Sequence, residues 1–503
     1  MSKSEKRNFK LFVQRSFSQK KDLNFMLVYE VLNSMTMYDP KRILDRLPQF
    51  SAKQISDLKG HLYTQILQCL RFLNSNKSLF NIRQGLDFAT VLYQKGMFIQ
   101  SLEQLQKTKQ IAESQENFSL LHEILEFEKK IESRHVTRSH ANRAKEITES
   151  IHITRQKLFL MTRWSDLSIQ LYSRYLKIGH VKNKKEHFSF QKYFEDNKPR
   201  NRGLENSSFF IKLHKIRSHL WYFFIQQDFK NGYRYGRKYV QLFDDFPSFL
   251  SLEKVEFIRA QQNCMNSAFY CIDEKRHLKH LNELHRYFQE EDLSINAQLM
   301  AFAYIKTGEL NDILLSGNFM NCASRLERII GEIDAKERDL DRHRMMLIWY
   351  KIATIYFTRG ENKKCISYLN KIINRNELSL REDVQSFARI LDLVAHFELG
   401  NEELVFYRIK SVYRFLGKLK DLQAVQLEFM KFLKKTVYMD QKNMKPAFIL
   451  LRDNLIELRK NPYENRPFLY LDIISWLDSK IEDRPVAEMV NLNLEKIKNP
   501  PIK

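Results

Sequence analysis

A short phrase recurs along the chain: alanine, an apolar or aromatic residue three positions later, and glycine four after that. It reads Ala89/Leu92/Gly96, Ala301/Tyr304/Gly308 and Ala353/Tyr356/Gly360. Each copy lies late in a stretch whose apolar residues return with helical period, and a second such stretch follows. The phrase therefore predicts helix–turn–helix pairs, repeated. Such pairs are constrained to stack, because each buries its apolar face only against its neighbours.

Composition points the same way. Glycine (13) and proline (10) are scarce in 503 residues, against averages of roughly 7% and 5%. That scarcity disfavours folds built on many tight turns, including β-sandwiches and nucleotide-binding α/β folds. Lys, Glu, Leu, Gln and Arg are good helix formers, and the expected class is all-α. The length suggests two to four ordinary domains, a count that a stack of repeats escapes.

A formal charge of +23 favours an anionic partner: nucleic acid, a membrane surface or an acidic protein. The opening MSKSEKRNFKLFVQRSFSQKK is charged and lacks the apolar core of a secretory signal. No uncharged apolar run approaches the roughly 18 residues of a membrane span. Cys69, Cys264, Cys271, Cys322 and Cys365 are scattered and never spaced CxxC. This fits buried thiols in a reducing compartment, so the expected location is cytoplasmic.

Three regions are expected: a basic N-terminal helical module over 1–76, an array of helical pairs over 77–460, and a C-terminal helical cap and tail over 461–503. In the module, helices are predicted from Glu5 to Phe17 and from Asp22 to Met35, another after Asp39-Pro40, and one from Ser51, with Gln54 completing a capping box. Basic residues and breakers from His180 to Ser208, among them Lys198-Pro199-Arg200 and Asn201-Arg202-Gly203, predict a loop near 180–208 that interrupts the array.

Trp349, Ile352, Ala353 and Tyr356, followed by Cys365 and Leu369, resemble the phrase of a tetratricopeptide repeat (TPR), a helical hairpin of about 34 residues. Gly85 to Glu113 carries a second copy, Ala301, Tyr304 and Gly308 a third, and Arg389 to Phe415 a fourth. Glu113 and Glu377 stand where the family has its terminal proline. Ala388-Arg389-Ile390-Leu391 and Phe397-Glu398-Leu399-Gly400-Asn401 are also similar to phrases in uncharacterised bacterial repeat proteins. The resemblance implies an irregular α-solenoid of TPR-like hairpins that binds a protein or peptide along its concave face. Carried over by position, it nominates Thr90, Tyr93, Gln94, Phe302, Lys306, Tyr350, Thr354 and Phe357 for that face.

No phosphate-binding loop or zinc-protease phrase is present. His277, His280 and His285, with Glu274, are the best metal candidates, but Lys275, Arg276 and Lys279 oppose a cation. Cys264 and Cys271 read as packing thiols, and Asp244-Asp245 before Pro247 as a helix end. No metal, cofactor or catalytic residue is expected. Lys182, Lys184, Lys185, Lys192, Lys198, Arg200 and Arg202 interleave with Phe188, Phe190, Tyr193 and Phe194. That combination could neutralise phosphates and stack on bases. Lys3, Arg7 and Lys10 opposite Phe9, Phe12 and Val13 could touch an anionic membrane, or else pack on the next helix. The leading expectation is a non-enzymatic protein- or peptide-binding scaffold. The alternatives are a nucleic-acid-associated repeat protein and a regulator responsive to a ligand or peptide.

Overall fold

Polar side chains start these helices where the sequence places them. Gln54 N donates to Ser51 Oγ at 3.3 Å and Ser51 N donates to Gln54 Oε1 at 2.8 Å, a complete capping box. Asp39 accepts from Lys41 N at 3.0 Å, with Pro40 in the first turn. The same economy recurs at Asp228, Asp273, Ser294 and Asp341, each accepting a backbone N–H three residues on.

The computed structural model describes residues 1–16, 23–74, 78–135, 142–200, 208–374, 381–418, 424–436, 439–461 and 464–498. The described residues are all-α, with no strand among them. The chain forms two compact units, 1–158 and 159–503, dividing inside a long helix.

The first unit holds α1 (Lys3–Ser16), α2 (Asn24–Asn33), α3 (Pro40–Arg46), α4 (Ala52–Leu73), α5 (Ser78–Gln94), α6 (Phe98–Ser114), α7 (Phe118–Arg134) and the start of α8 (Arg143–Ile178). Phe9, Val13, Phe25, Val28, Ile43, Ile55 and Leu62 join α1–α4 in one core. Phe9 and Val13 thus pack inward, and Lys10 pairs with Glu30 at 2.7 Å. Helices α5, α6 and α7 pack in succession. Ser101 Oγ donates to the Ala89 carbonyl at 2.7 Å, so two small residues bring α5 and α6 together.

The second unit continues with α9 (Lys184–Asn197), α10 (Phe209–Ile225), α11 (Phe229–Asp245), α12 (Ser248–Leu252), α13 (Lys254–Tyr270), α14 (Glu274–Glu290), α15 (Ile295–Ser316) and α16 (Ala323–Asp334). Then come α17 (Arg342–Thr358), α18 (Asn362–Ile373), α19 (Glu382–Glu398), α20 (Glu402–Lys418), α21 (Ala424–Thr436), α22 (Gln441–Arg459), a 3-10 turn (Arg466–Leu469), α23 (Ile473–Glu482) and α24 (Val486–Lys498). From α10 to α16 and from α17 to α24, helices adjacent in sequence pack on each other, and α13, α15, α17 and α19 also pack on one another in that order. Late in the chain α24 returns to touch α17.

Two expectations need correction. Residues 184–197, expected inside a basic loop, form α9, capped by Asn183, which accepts from Glu186 N at 2.9 Å. Phe190 and Phe194 bury this helix against Tyr222, with ring centres 5.7 and 4.3 Å away. Residues 201–207 of the expected loop lie outside the described residues. The recurring glycine also has two meanings. Gly96 and Gly360 have φ of +75° and +76° and end their helices, as does Gly400 at +70°. Gly308 sits inside α15, where a Cβ would meet Leu281 Cδ1 at 2.8 Å and Met265 Sδ at 3.3 Å. It is small so that α14 can approach.

This separates two substitutions. Asparagine tolerates the left-handed region, so Gly360→Asn should keep most of the stability. Gly308→Asn overpacks a core and should cost ~1–3 kcal/mol. Urea denaturation of both variants checks this, and equal losses would contradict it.

Candidate functional site

From Met345 to Phe357, α17 reads MMLIWYKIATIYF, apolar but for its tyrosines, one threonine and one charge, Lys351. Trp349, Ile352, Ala353 and Tyr356 fill the core, as the spacing requires. Lys351 lines two cavities instead. Its Nζ lies 4.3 Å from the centre of the Phe269 ring. Burial, then the nearby Arg381 guanidinium, pushes its pKa down to about 7.

One cavity, of about 490 Å³, is largely apolar, with Leu314, Leu315, Phe319, Val384, Phe468 and Leu469 in its wall. The other, of about 540 Å³, is the more polar of the two, with Arg217, Arg259, Asn263, Asn266, His343 and Arg344 among its apolar and aromatic neighbours. Both are of ligand size. They share Phe269, Tyr270, Leu347, Lys351 and Arg381.

The arginines of the polar cavity are answered by carboxylates. Glu256 receives Arg259 at 2.7 Å, Arg217 at 3.4 Å and the Tyr239 hydroxyl. Those partners outweigh its burial and hold it below the usual carboxylate range. Arg344 meets Asp341 at 2.5 Å. Arg381 grips Asp383 with two bonds of 2.8 Å, both side chains buried. Lys351 has no carboxylate partner among the described residues. His343 is pushed down to about 4, chiefly by burial, and is neutral near pH 7.

The chain's own C-terminal part completes the apolar cavity. The Tyr470 ring stacks on Phe387 with centres 4.5 Å apart, its hydroxyl donates to Asp383, and its carbonyl accepts from the Tyr350 hydroxyl at 3.0 Å. Gly179, at φ +69°, passes so close that a Cβ would lie 2.7 Å from Asp383 Oδ2.

Of the residues nominated for a concave face, Tyr350 and Thr354 line the apolar cavity. Phe302 and Phe357 are core, and Lys306 is buried between Glu309, at 2.8 Å, and Glu332. Thr90 and Gln94 are exposed on α5, and Tyr93 is half-buried among Phe98, Phe127 and His135. The sequence reading missed Lys351, Arg381, Asp383 and Tyr470. A single lysine in the otherwise uncharged stretch from Met345 to Phe357 was the available signal for Lys351.

Among the basic candidates, Lys184, Lys185, Lys192 and Arg200 are exposed, Lys182 is half-buried, and Lys198 pairs with Glu195 at 2.6 Å. Arg202 lies outside the described residues. Of their aromatic neighbours, Phe188 is the exposed one, at 54%. A denser basic surface lies elsewhere. Lys230, Arg234, Arg237 and Lys238 of α11 face Arg276 and Lys279 of α14 across a groove of about 630 Å³. Arg276 pairs with Asp273 at 3.2 Å. The other five have no carboxylate partner among the described residues. Burial, Arg234 and Lys215 lower Lys238 below the usual lysine value.

The histidines weighed as metal candidates are engaged separately. His277 places Nδ1 3.1 Å from the Met265 carbonyl and Nε2 3.0 Å from that of Gly308. His280 meets Gln261 at 2.7 Å, and His285 meets Glu309 at 3.4 Å. Among the described residues no three His, Cys, Asp or Glu side chains converge on a point, and no helix is long and apolar enough to cross a membrane. Cys264 is buried beside Gly236, and burial pushes its thiol up.

No protein-family model matches the chain, and no curated protein is found to match it.

The lowered Lys351 pKa has a stability consequence. Between about 7 and the ordinary 10.5 the unfolded chain holds a proton that the folded chain has lost. Stability from this group therefore rises with pH across that window. Lys351→Met should remove the slope and raise stability most below pH 7, by ~1–3 kcal/mol. Thermal melts at pH 6 and 9 test the sign; a variant less stable at pH 6 than at pH 9, relative to the parent, would contradict it.

Proposed function

We propose that the protein is a non-enzymatic protein- or peptide-binding scaffold whose second unit is an irregular α-solenoid of TPR-like hairpins. The order of packing supports the architecture: α13, α15, α17 and α19 follow one another, each with a partner helix next in sequence. The observation that carries the function is that α17 and α19 already hold a peptide, the chain's own Phe468–Asp472. It is held by one backbone bond from Tyr350, one side-chain bond to Asp383 and one ring stacked on Phe387. Those contacts serve equally for a partner's segment, on an array ordered in advance. The scattered thiols favour the cytoplasm.

Tyr470→Ala in the full chain loosens the resident segment. A synthetic peptide of residues 464–474, or peptides selected from a display library, should then bind at least tenfold more tightly than to the parent. Thr354→Arg, which fills the cavity, should abolish that gain. If peptide binding ignores both substitutions, the proposal fails.

The groove between α11 and α14 favours a second reading, association with nucleic acid. Five exposed cations with no carboxylate partner among the described residues concentrate there, and phosphate neutralisation makes such binding salt-dependent. Arg234→Glu with Lys238→Glu should lower the slope of log K against log salt for RNA by ~2. An unchanged slope would remove this groove from consideration.

A further inference from the structure

The two cavities follow one another along α17. His343 and Arg344 line the polar cavity alone, Leu347 and Lys351 line both, and Tyr350, Thr354 and Thr358 line the apolar one alone. From His343 to Thr358 the helix rises about 22 Å. A molecule in the apolar cavity can therefore place one end at Lys351, a residue that lines both cavities.

The charges select its chemistry. Arg217, Arg259, Arg344 and Arg381 each meet a carboxylate of the protein. Lys351 meets none among the described residues and rests against the face of Phe269. When protonated, it is desolvated and answered by a ring alone. An acid group placed beside Lys351 supplies the missing counter-ion, where low water content strengthens the pairing. The stretch of wall beyond formed by Leu314, Leu315, Phe319 and Leu469 suits an apolar tail. Arg459 and Lys496 lie elsewhere in that wall, with Asp472 as the acidic residue.

We infer that the apolar cavity binds a small amphiphilic organic anion, its acid group paired with Lys351 and its apolar chain laid along α17 among Leu314, Leu315, Phe319 and Leu469. The inference goes beyond a peptide partner and does not depend on one. It makes the unit a receptor for a small molecule as well as a scaffold.

Calorimetric titration of the full chain tests it, with dodecanoate, dodecyl phosphate, dodecanol and acetate below their aggregation limits, and with an apolar hexapeptide carrying a free or amidated C-terminus. One or both of the long-chain anions should bind one to one, about tenfold or more tighter than dodecanol and far tighter than acetate. Lys351→Met should erase the preference for the anion and leave dodecanol binding intact. Lys351→Arg should restore the preference. Leu314→Trp, which fills the apolar chamber, should weaken anion and alcohol alike. Each variant is first checked for an unchanged helical spectrum. The inference is overturned if no long-chain anion saturates a single site, if the preference survives Lys351→Met, or if the free-acid hexapeptide alone binds.

Discussion

Burying a guanidinium and a carboxylate costs several kcal/mol per ion, and the pair repays it only when geometry and further hydrogen bonds satisfy both groups. Arg381 and Asp383 meet that condition with two parallel bonds. Arg381 N also donates to the Leu176 carbonyl at 3.1 Å, its guanidinium lies 5.5 Å from the Tyr175 ring, and Tyr470 donates to Asp383. The end of α8, the start of α19 and the C-terminal part are therefore joined at one ion pair. Two features of the backbone serve it. Arg381 itself takes φ +50°, a region that side chains disfavour, and Gly179 supplies the space beside Asp383 that a Cβ would occupy.

The same pair shapes the cavities. Arg381 is in both walls, and its charge, after burial, is what lowers Lys351. Asp383 is committed to Arg381 and Tyr470, and Lys351 has no carboxylate partner among the described residues. Tyr470, fixed by the same aspartate, closes the apolar cavity and presents its carbonyl to Tyr350. A cation left without an acid partner and an apolar chamber beside it thus follow from one interaction.

What was legible in the sequence was local. Ser51 with Gln54, Asp39 with Pro40 and the apolar rows of α5–α7 were readable because caps and helical periodicity are short-range. The region from 184 to 197 was misread for a related reason. Its lysines suggested a loop, while Phe190 and Phe194, nearly four turns of helix and a capping Asn183 made it a helix packed on α10. Gly308 carried the same spacing as Gly96 and Gly360 yet served close approach, because spacing fixes a face and not the reason a residue is small. Tyr350 and Thr354 reached a cavity, while Phe302 and Phe357 did not, since their register depends on the neighbouring helix pair. Arg381, Asp383 and Tyr470 could not be joined from sequence, because nothing local links positions so far apart.

The excess positive charge is of two physical kinds. On α11 and α14 it is exposed and clustered, so its attraction for anions is long-ranged in dilute salt and fades within a Debye length of about 8 Å at physiological ionic strength. At Lys351 it is set against a ring and a guanidinium, where mobile ions screen little and the cost of the charge is already present in the folded chain. An anion at the groove gains chiefly from the field and from released counter-ions. An anion at Lys351 gains from relieving a desolvated charge. Salt therefore discriminates between the two sites without any knowledge of the ligand: binding that collapses as salt rises belongs to the groove, and binding that persists belongs to the cavity.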